Sequence, residues 1–151
     1  MMCLQHGSLL MSGASDNTVR LWNLFTGERT AVLEGREGRI IGVAVRAFAV
    51  DAHGKGHSLV VSGSDDFTGR LWRDAACAAV LIEPSGMVLS GAVGGISAGG
   101  GEVVLSAGQV SGKVWPIDGR TECLGTLPHP GPVVSMDVDV LDRDVIATGC
   151  G

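Results

Sequence analysis

The chain has 151 residues, 45% of them apolar and 18% charged, with 24 glycines, no tyrosine and a net charge of −5. That composition excludes a disordered chain, and a single compact domain of this length buries roughly 70% of its unfolded surface. No basic block exists among the 11 lysines and arginines, so binding to a phosphate backbone has no electrostatic support and direct nucleic-acid binding is not expected. The four cysteines, Cys3, Cys77, Cys123 and Cys150, fit neither a CxxC metal site nor a dense disulfide framework. They read as small hydrophobes or free thiols of a reducing compartment. The start "MMCLQHGSLL" lacks the basic segment and long apolar run of a signal peptide. The uncharged stretch 84–101 carries too much glycine for a spanning helix. A soluble, cytoplasmic or nuclear, non-secreted protein is expected.

In chain order, "LMSGASDNTVRLWNL" (Leu10–Leu24) returns as "VVSGSDDFTGRLWRD" (Val60–Asp74) and, worn down, as "VLSAGQVSGKVWPID" (Val104–Asp118). "VIATGCG" starts a fourth copy. The anchors Ser12, Ser62, Ser106 and Thr148 are 50, 44 and 42 residues apart, and the only three tryptophans, Trp22, Trp72 and Trp115, keep the same register. Each unit reads as four short strands. An apolar run comes first ("SLLMSG", "HSLVVSG", "EVVLSAG", "DVIATG"), then the tryptophan strand ("TVRLW", "TGRLW", "GKVW"). Alternation there sets Val19 and Leu21 on one face, Arg20 and Trp22 on the other. A third strand follows ("RTAVLEG", "CAAVLIE", "ECLGTLP"), and a fourth precedes the next run ("RIIGVAV", "GMVLSGAV", "PVVSMDVDV"). "DAACAAVLIE" has helical alanine content, but its register with two strand-like segments makes it a strand.

Four-stranded units at this period fit the blades of a β-propeller, an all-β fold. "SGASDNTVRLWN" and "SGSDDFTGRLWR" resemble WD-repeat (Trp-Asp repeat) cores, and "LEGREGRIIGVAV" and "LPHPGPVVSMDV" resemble the stretches that lead into that family's blades. The resemblance implies a buried polar chain of His, Asp, Ser or Thr, and Trp, because an indole N–H between sheets needs an acceptor and a buried aspartate needs donors. Ser12, Asp16 and Trp22 fit in the first unit, and Ser62, Asp66 and Trp72 in the second, where Arg36 stands in the histidine position. Ser106 and Trp115 fit in the third, with Pro84 and Gln109 at the histidine and aspartate positions. His129 and Thr148 open the fourth. Arg36 is expected to replace the imidazole by pairing with Asp66, as a guanidinium fork can.

The expected organisation is one propeller segment: a partial blade 1–34 holding strands two to four, blades 35–83 and 84–127, and a partial blade 128–151. That is roughly three and a half blades, below the closing minimum of about four. The chain is then a fragment of a longer propeller or an open arc whose edges need further blades or another chain.

Rival chemistry finds little support. His53 and His57 in "HGKGH" are four apart, but glycines separate them and no third metal ligand is near. "GQVSGK" is one residue short of a phosphate loop and lacks its hydroxyl. "GGISAGGGE" lacks dinucleotide-site spacing. The aspartates of "MDVDVLDRD" have no EF-hand spacing, and no GxSxG elbow supports a hydrolase. No cofactor, metal or catalytic residue is expected. The resemblance implies a non-catalytic scaffold that presents loop rims to peptides or proteins in a larger assembly. The alternatives are a propeller subunit of an enzyme complex holding a ligand in its central channel, or a truncated product without function. The candidate rim comprises the turns 14–17, 64–67 and 108–111 and the loops 35–39, 84–87 and 129–132, with Arg36, Arg39, Asp65, Phe67, Met87, Gln109 and Pro130 as candidate contacts. Phe67 and Met87 either anchor a partner or pack in the core, and Arg36 and Arg39 would suit acidic or phosphorylated peptides.

Overall fold

A computed structural model describes residues 2–6, 9–47, 58–82, 86–96, 101–118, 120–138 and 146–150. These form fourteen strands in four antiparallel sheets, and no helix among them is long and apolar enough to cross a membrane. The first sheet runs β1 (Met2–His6), β2 (Leu9–Gly13), β3 (Val19–Asn23), β4 (Arg29–Leu33). The second runs β5 (Ile40–Ala47), β6 (Ser58–Ser64), β7 (Thr68–Arg73), β8 (Ala76–Ile82). The third runs β9 (Ser90–Ile96), β10 (Gly101–Ala107), β11 (Ser111–Pro116), β12 (Gly125–Pro128), and the last pairs β13 (Val133–Val138) with β14 (Ile146–Cys150). Within each sheet, strands adjacent in sequence pair as hairpins. The repeat thus becomes an up-and-down meander, the pattern of a propeller blade.

Two expectations need correction. The first unit has a fourth strand, because β1 pairs along its length with β2, from Met2 opposite Gly13 to His6 opposite Leu9. "MCLQH" mixes polarities and lacks a turn signal, so only the backbone ladder reveals it. In the third unit the innermost strand begins at Ser90, not at Gly86. "DAACAAVLIE" is extended over Ala76–Ile82, as the repeat register requires. Pro84, His53, His57, Asp139, Asp142 and Asp144 lie outside the described residues.

The sheets stack face to face through apolar residues. Met11, Val19, Leu21 and Leu33 of the first sheet pack on Val43, Val60 and Trp72 of the second. Leu59, Val61, Leu71 and Leu81 of the second pack on Val104 and Trp115 of the third. Ala92, Val103, Leu105 and Val114 of the third pack on Val133 and Met136 of the last. Each fully buried leucine or valine stabilises this stack by about 1.5–3 kcal/mol relative to exposure. The innermost strands β1, β5, β9 and β13 are successive neighbours, whereas among the described residues the last sheet does not pack on the first. The arc is open.

The Ser-Gly ending of each apolar run has a packing reason. A Cβ on Gly63 would come within 2.5 Å of the Val88 carbonyl, and one on Gly13 would collide with the Ile40 side chain. The chain entering the next sheet crosses directly over these positions, leaving no room for a side chain.

Candidate functional site

The repeated Ser–Trp pair is made three times with one geometry. Each indole Nε1 donates to the serine hydroxyl in the facing strand: Trp22 to Ser12 at 2.9 Å, Trp72 to Ser62 at 2.8 Å, Trp115 to Ser106 at 2.8 Å. Serine and tryptophan sit on the same face of adjacent strands, ten or nine residues apart in sequence, because the hairpin between them folds them into diagonal register. All three tryptophans are extended and on strands.

The second sheet carries the longest polar chain. Arg36 enters from the loop after β4 with its side chain fully buried. Its Nη1 lies 3.0 Å from Asp66 Oδ1 and also donates to the Thr68 carbonyl and hydroxyl at 2.8 and 2.7 Å. Its Nη2 donates to Ser62 Oγ at 2.8 Å and to the Ser62 carbonyl. Asp66 in turn accepts from the Thr68 N–H at 3.0 Å and hydroxyl at 2.6 Å. The guanidinium therefore joins the tryptophan-bearing serine to the turn aspartate, which is the connection an imidazole would make. Burial pulls Arg36 down to about 10 against the opposing Asp66 charge, so it stays protonated at neutral pH. Burial would raise Asp66, but the Thr68 hydroxyl and the Arg36 charge outweigh it and hold the carboxyl below the usual range.

The other units differ. In the first, Asp16 accepts from the Thr18 N–H and hydroxyl and pairs with Arg20 on the exposed side of the turn, and among the described residues no guanidinium ties it to Ser12. In the third, Gln109 is half-buried against Gly86, and the polar chain among the described residues ends at Ser106. In the last, Thr148 Oγ1 and His129 Nε2 lie 3.0 Å apart.

One recurring cation escaped the sequence reading. Arg70 lies over the Trp72 ring at 5.8 Å, and Lys113 over the Trp115 ring at 5.7 Å. A cation two residues before each tryptophan, Arg20 included, was the available signal, since i and i+2 share a strand face.

The loops and turns named as a rim share one end of the sheets. Ile40 N–H bonds Ala14 C=O, Asp65 N–H bonds Arg39 C=O, and His129 N–H bonds Val110 C=O. Arg36 is the exception: its guanidinium is buried with both terminal nitrogens bonded within the sheet, so it cannot reach a partner and does not belong to the rim. Arg39 is exposed and pairs with Asp65 at 2.8 Å. Phe67 is 55% exposed and holds φ at +64°, an unusual conformation for an aromatic residue. Met87 is half-buried and Pro130 exposed. Val110, at the equivalent turn of the third sheet, is also exposed. Beside Arg39 an open cleft of about 320 Å³ is lined by Gly13, Ala14, Ser15, Ile40 and Ile41. Among the described residues no cluster of three His, Cys, Asp or Glu side chains could hold a metal ion.

Comparison with known proteins matches these features. The family model for the WD domain, G-beta repeat, matches residues 2–23, the segment β1 to β3. Elongator complex protein 2 of Rattus norvegicus is 33% identical over 87 residues, covering 54% of this chain, and the chain spans 11% of that relative's length. The computationally designed Ika4 protein superposes with a TM-score of 0.70 at 20% identity, covering 98% of this chain and 82% of that one. The computationally designed Ika8 protein gives the same TM-score and identity over 98% of this chain and 42% of its own. With a Ser–Trp pair on each of three consecutive four-stranded sheets, the chain is similar to WD-repeat proteins and folds as an open run of propeller-like blades.

Proposed function

We propose that the chain is a non-catalytic scaffold whose loop rim holds a peptide or protein partner within a larger assembly, in the cytoplasm or nucleus. WD-repeat domains generally mediate protein–protein interaction, and the similar rat protein is by name a component of a complex. The observation that carries the reading is the division of labour among side chains. The repeated serines are each bonded to a tryptophan indole at equivalent positions, a repetition that suits architecture. On the rim, by contrast, Phe67 and Val110 expose apolar surface at the tips of equivalent turns, and Arg39 offers a cation beside a cleft. An aromatic anchor next to a guanidinium suits a peptide with an apolar residue near an acidic or phosphorylated one.

The test is capture of partners from a cell extract by the wild-type chain, Phe67→Ala and Arg39→Ala, with quantitative mass spectrometry of what is retained. Loss of the same partners in both variants supports the rim. An unchanged set of partners in both would refute it.

A further inference from the structure

On the reading of Phe67 as a rim anchor, we infer that Arg36 is a positioning residue for recognition: from inside the second sheet its guanidinium fixes the turn that displays Phe67 to a partner. Phe67 holds φ at +64° while 55% of its surface is exposed. The left-handed region is costly for an aromatic residue, and a ring so exposed gains little from packing in return. Neither local preference nor burial accounts for the conformation. Strain of this kind persists only where the surroundings over-determine it, and it gathers at ligand clamps and other functional sites.

The surroundings here are the two residues that flank Phe67, and one nitrogen holds both. Arg36 Nη1 donates to Asp66 Oδ1 at 3.0 Å on one side, and to the Thr68 carbonyl and hydroxyl at 2.8 and 2.7 Å on the other. Asp66 Oδ1 spans the same residue, accepting from the Thr68 N–H and hydroxyl. The guanidinium is in turn anchored by Nη2 on Ser62 Oγ, with its side chain fully buried. From outside, the linker after β4 lies tight on the turn. A Cβ on Gly38 would stand 2.8 Å from the Asp66 nitrogen, and the Asp65 N–H bonds the Arg39 carbonyl. Phe67 projects from the middle of this clamp.

The three copies of the turn separate the parts. In the first, Asp16 makes the same two bonds to Thr18, and Asn17 between them takes φ +67°. Asparagine tolerates that region, and Arg20 reaches Asp16 only from the exposed side. In the third, Gln109 stands in the aspartate position, and Val110 is not among the residues at positive φ. The carboxylate therefore goes with the left-handed turn. The buried guanidinium goes with the one turn whose central residue resists that conformation.

Two measurements on the full chain test the positioning without any partner. In NMR spectra a strong intraresidue NOE between the amide proton and Hα marks the positive φ of Phe67. Arg36→Ala should lose that mark while the third sheet keeps its wild-type shifts. Should Arg36→Ala unfold, Thr68→Val carries the test, because it removes the hydroxyl that Arg36 and Asp66 share. The second measurement is a double-mutant cycle in urea. Relaxation of Phe67 offsets part of the cost of breaking the clamp, so Thr68→Val should raise the unfolding constant at least ~fivefold more in the Phe67→Asn background, where no strain is relieved. A Phe67 that keeps positive φ without the clamp, or a cycle without coupling, would overturn the inference. Capture from a cell extract separates the two possible failures. Thr68→Val is expected to lose the same partners as Phe67→Ala, with no further loss in the double variant. Partners lost by Phe67→Ala but kept by Thr68→Val would refute the clamp and leave the anchor standing. Partners kept by Phe67→Ala would refute the anchor itself, whatever the spectra show.

Discussion

The first and second sheets are the best-matched pair of repeats in the chain, yet they hold their turns differently. In the second, a buried guanidinium welds the turn aspartate to the tryptophan-bearing serine and to the Thr68 backbone. In the first, the corresponding aspartate faces outward to Arg20, and the Ser12–Trp22 pair stands apart from it on a half-open face. Nearly identical words in sequence thus carry two different polar arrangements at the turn. Among the described residues, what sets the second apart is Arg36, which enters from the loop after β4.

The strongest way to break this contrast is to remove Arg36. Arg36→Ala leaves the Asp66 carboxylate and two carbonyls without their cation, and a broken buried pair costs about 3–5 kcal/mol, at the lower end here because Asp66 keeps some access to water. Urea denaturation should show that loss. Arg36→His, which supplies the imidazole that the WD-repeat resemblance implies at this position, should lose less than Arg36→Ala, and an equal loss would mean that burial volume, not the polar connection, is what Arg36 supplies.

Next in size is the serine comparison. Ser62→Ala strands the buried Trp72 indole N–H and should cost about 1–3 kcal/mol. Ser12→Ala should cost under about 1 kcal/mol, because the half-buried Trp22 can turn to water instead. Equal losses in the two variants would show that the first sheet is as closed in solution as the second.

Acid sharpens the contrast further. Asp66 titrates below the usual carboxylate pKa of about 3.9 when folded. As pH falls, the unfolded chain takes up that proton first. The stability Asp66 contributes is therefore complete above the unfolded value and is lost as pH falls through the folded one. Urea midpoints measured down through this acid window should fall more steeply for the wild type than for Asp66→Asn.

The smallest expected effect lies at the turn tip. Phe67 and Asn17 occupy equivalent positions, both at positive φ, +64° and +67°. Asparagine tolerates that region and phenylalanine does not. Phe67→Asn should raise stability by about 1 kcal/mol while reducing partner capture. Higher stability with undiminished capture would sever the strained aromatic from recognition.

Much of the architecture was legible because the repeat is written in residues whose physics is local. Apolar runs ending in Ser-Gly, alternation around each tryptophan and the fixed register of Ser12, Ser62 and Ser106 lead to the sheets without tertiary information. The β7–β8 hairpin was harder to read. Its two central residues, Asp74 and Ala75, both take positive φ, at +49° and +67°, where glycine is the usual signal. Alanine there disguises a tight turn as helix, and only the repeat register corrected the reading. β1 was missed for the opposite reason: "MCLQH" has no pattern of its own and is a strand because β2 offers it an unpaired edge.

At the site, the sequence singled out Arg36 by its place in the repeat, and also placed it on the rim. Position in the chain cannot distinguish those roles; the direction of the side chain does, and packing sets it.

By itself, then, the sequence determined the unit: four short strands, a serine diagonal to a tryptophan on the facing strand, and small residues where the next sheet crosses. These follow from strand periodicity and from the need of a buried indole for an acceptor, both fixed within one hairpin. The tertiary structure alone decided which tryptophan faces are covered, and that Arg36 is buried and Phe67 exposed. Those outcomes depend on what the neighbouring sheet places within van der Waals reach, and a single strand carries no record of that.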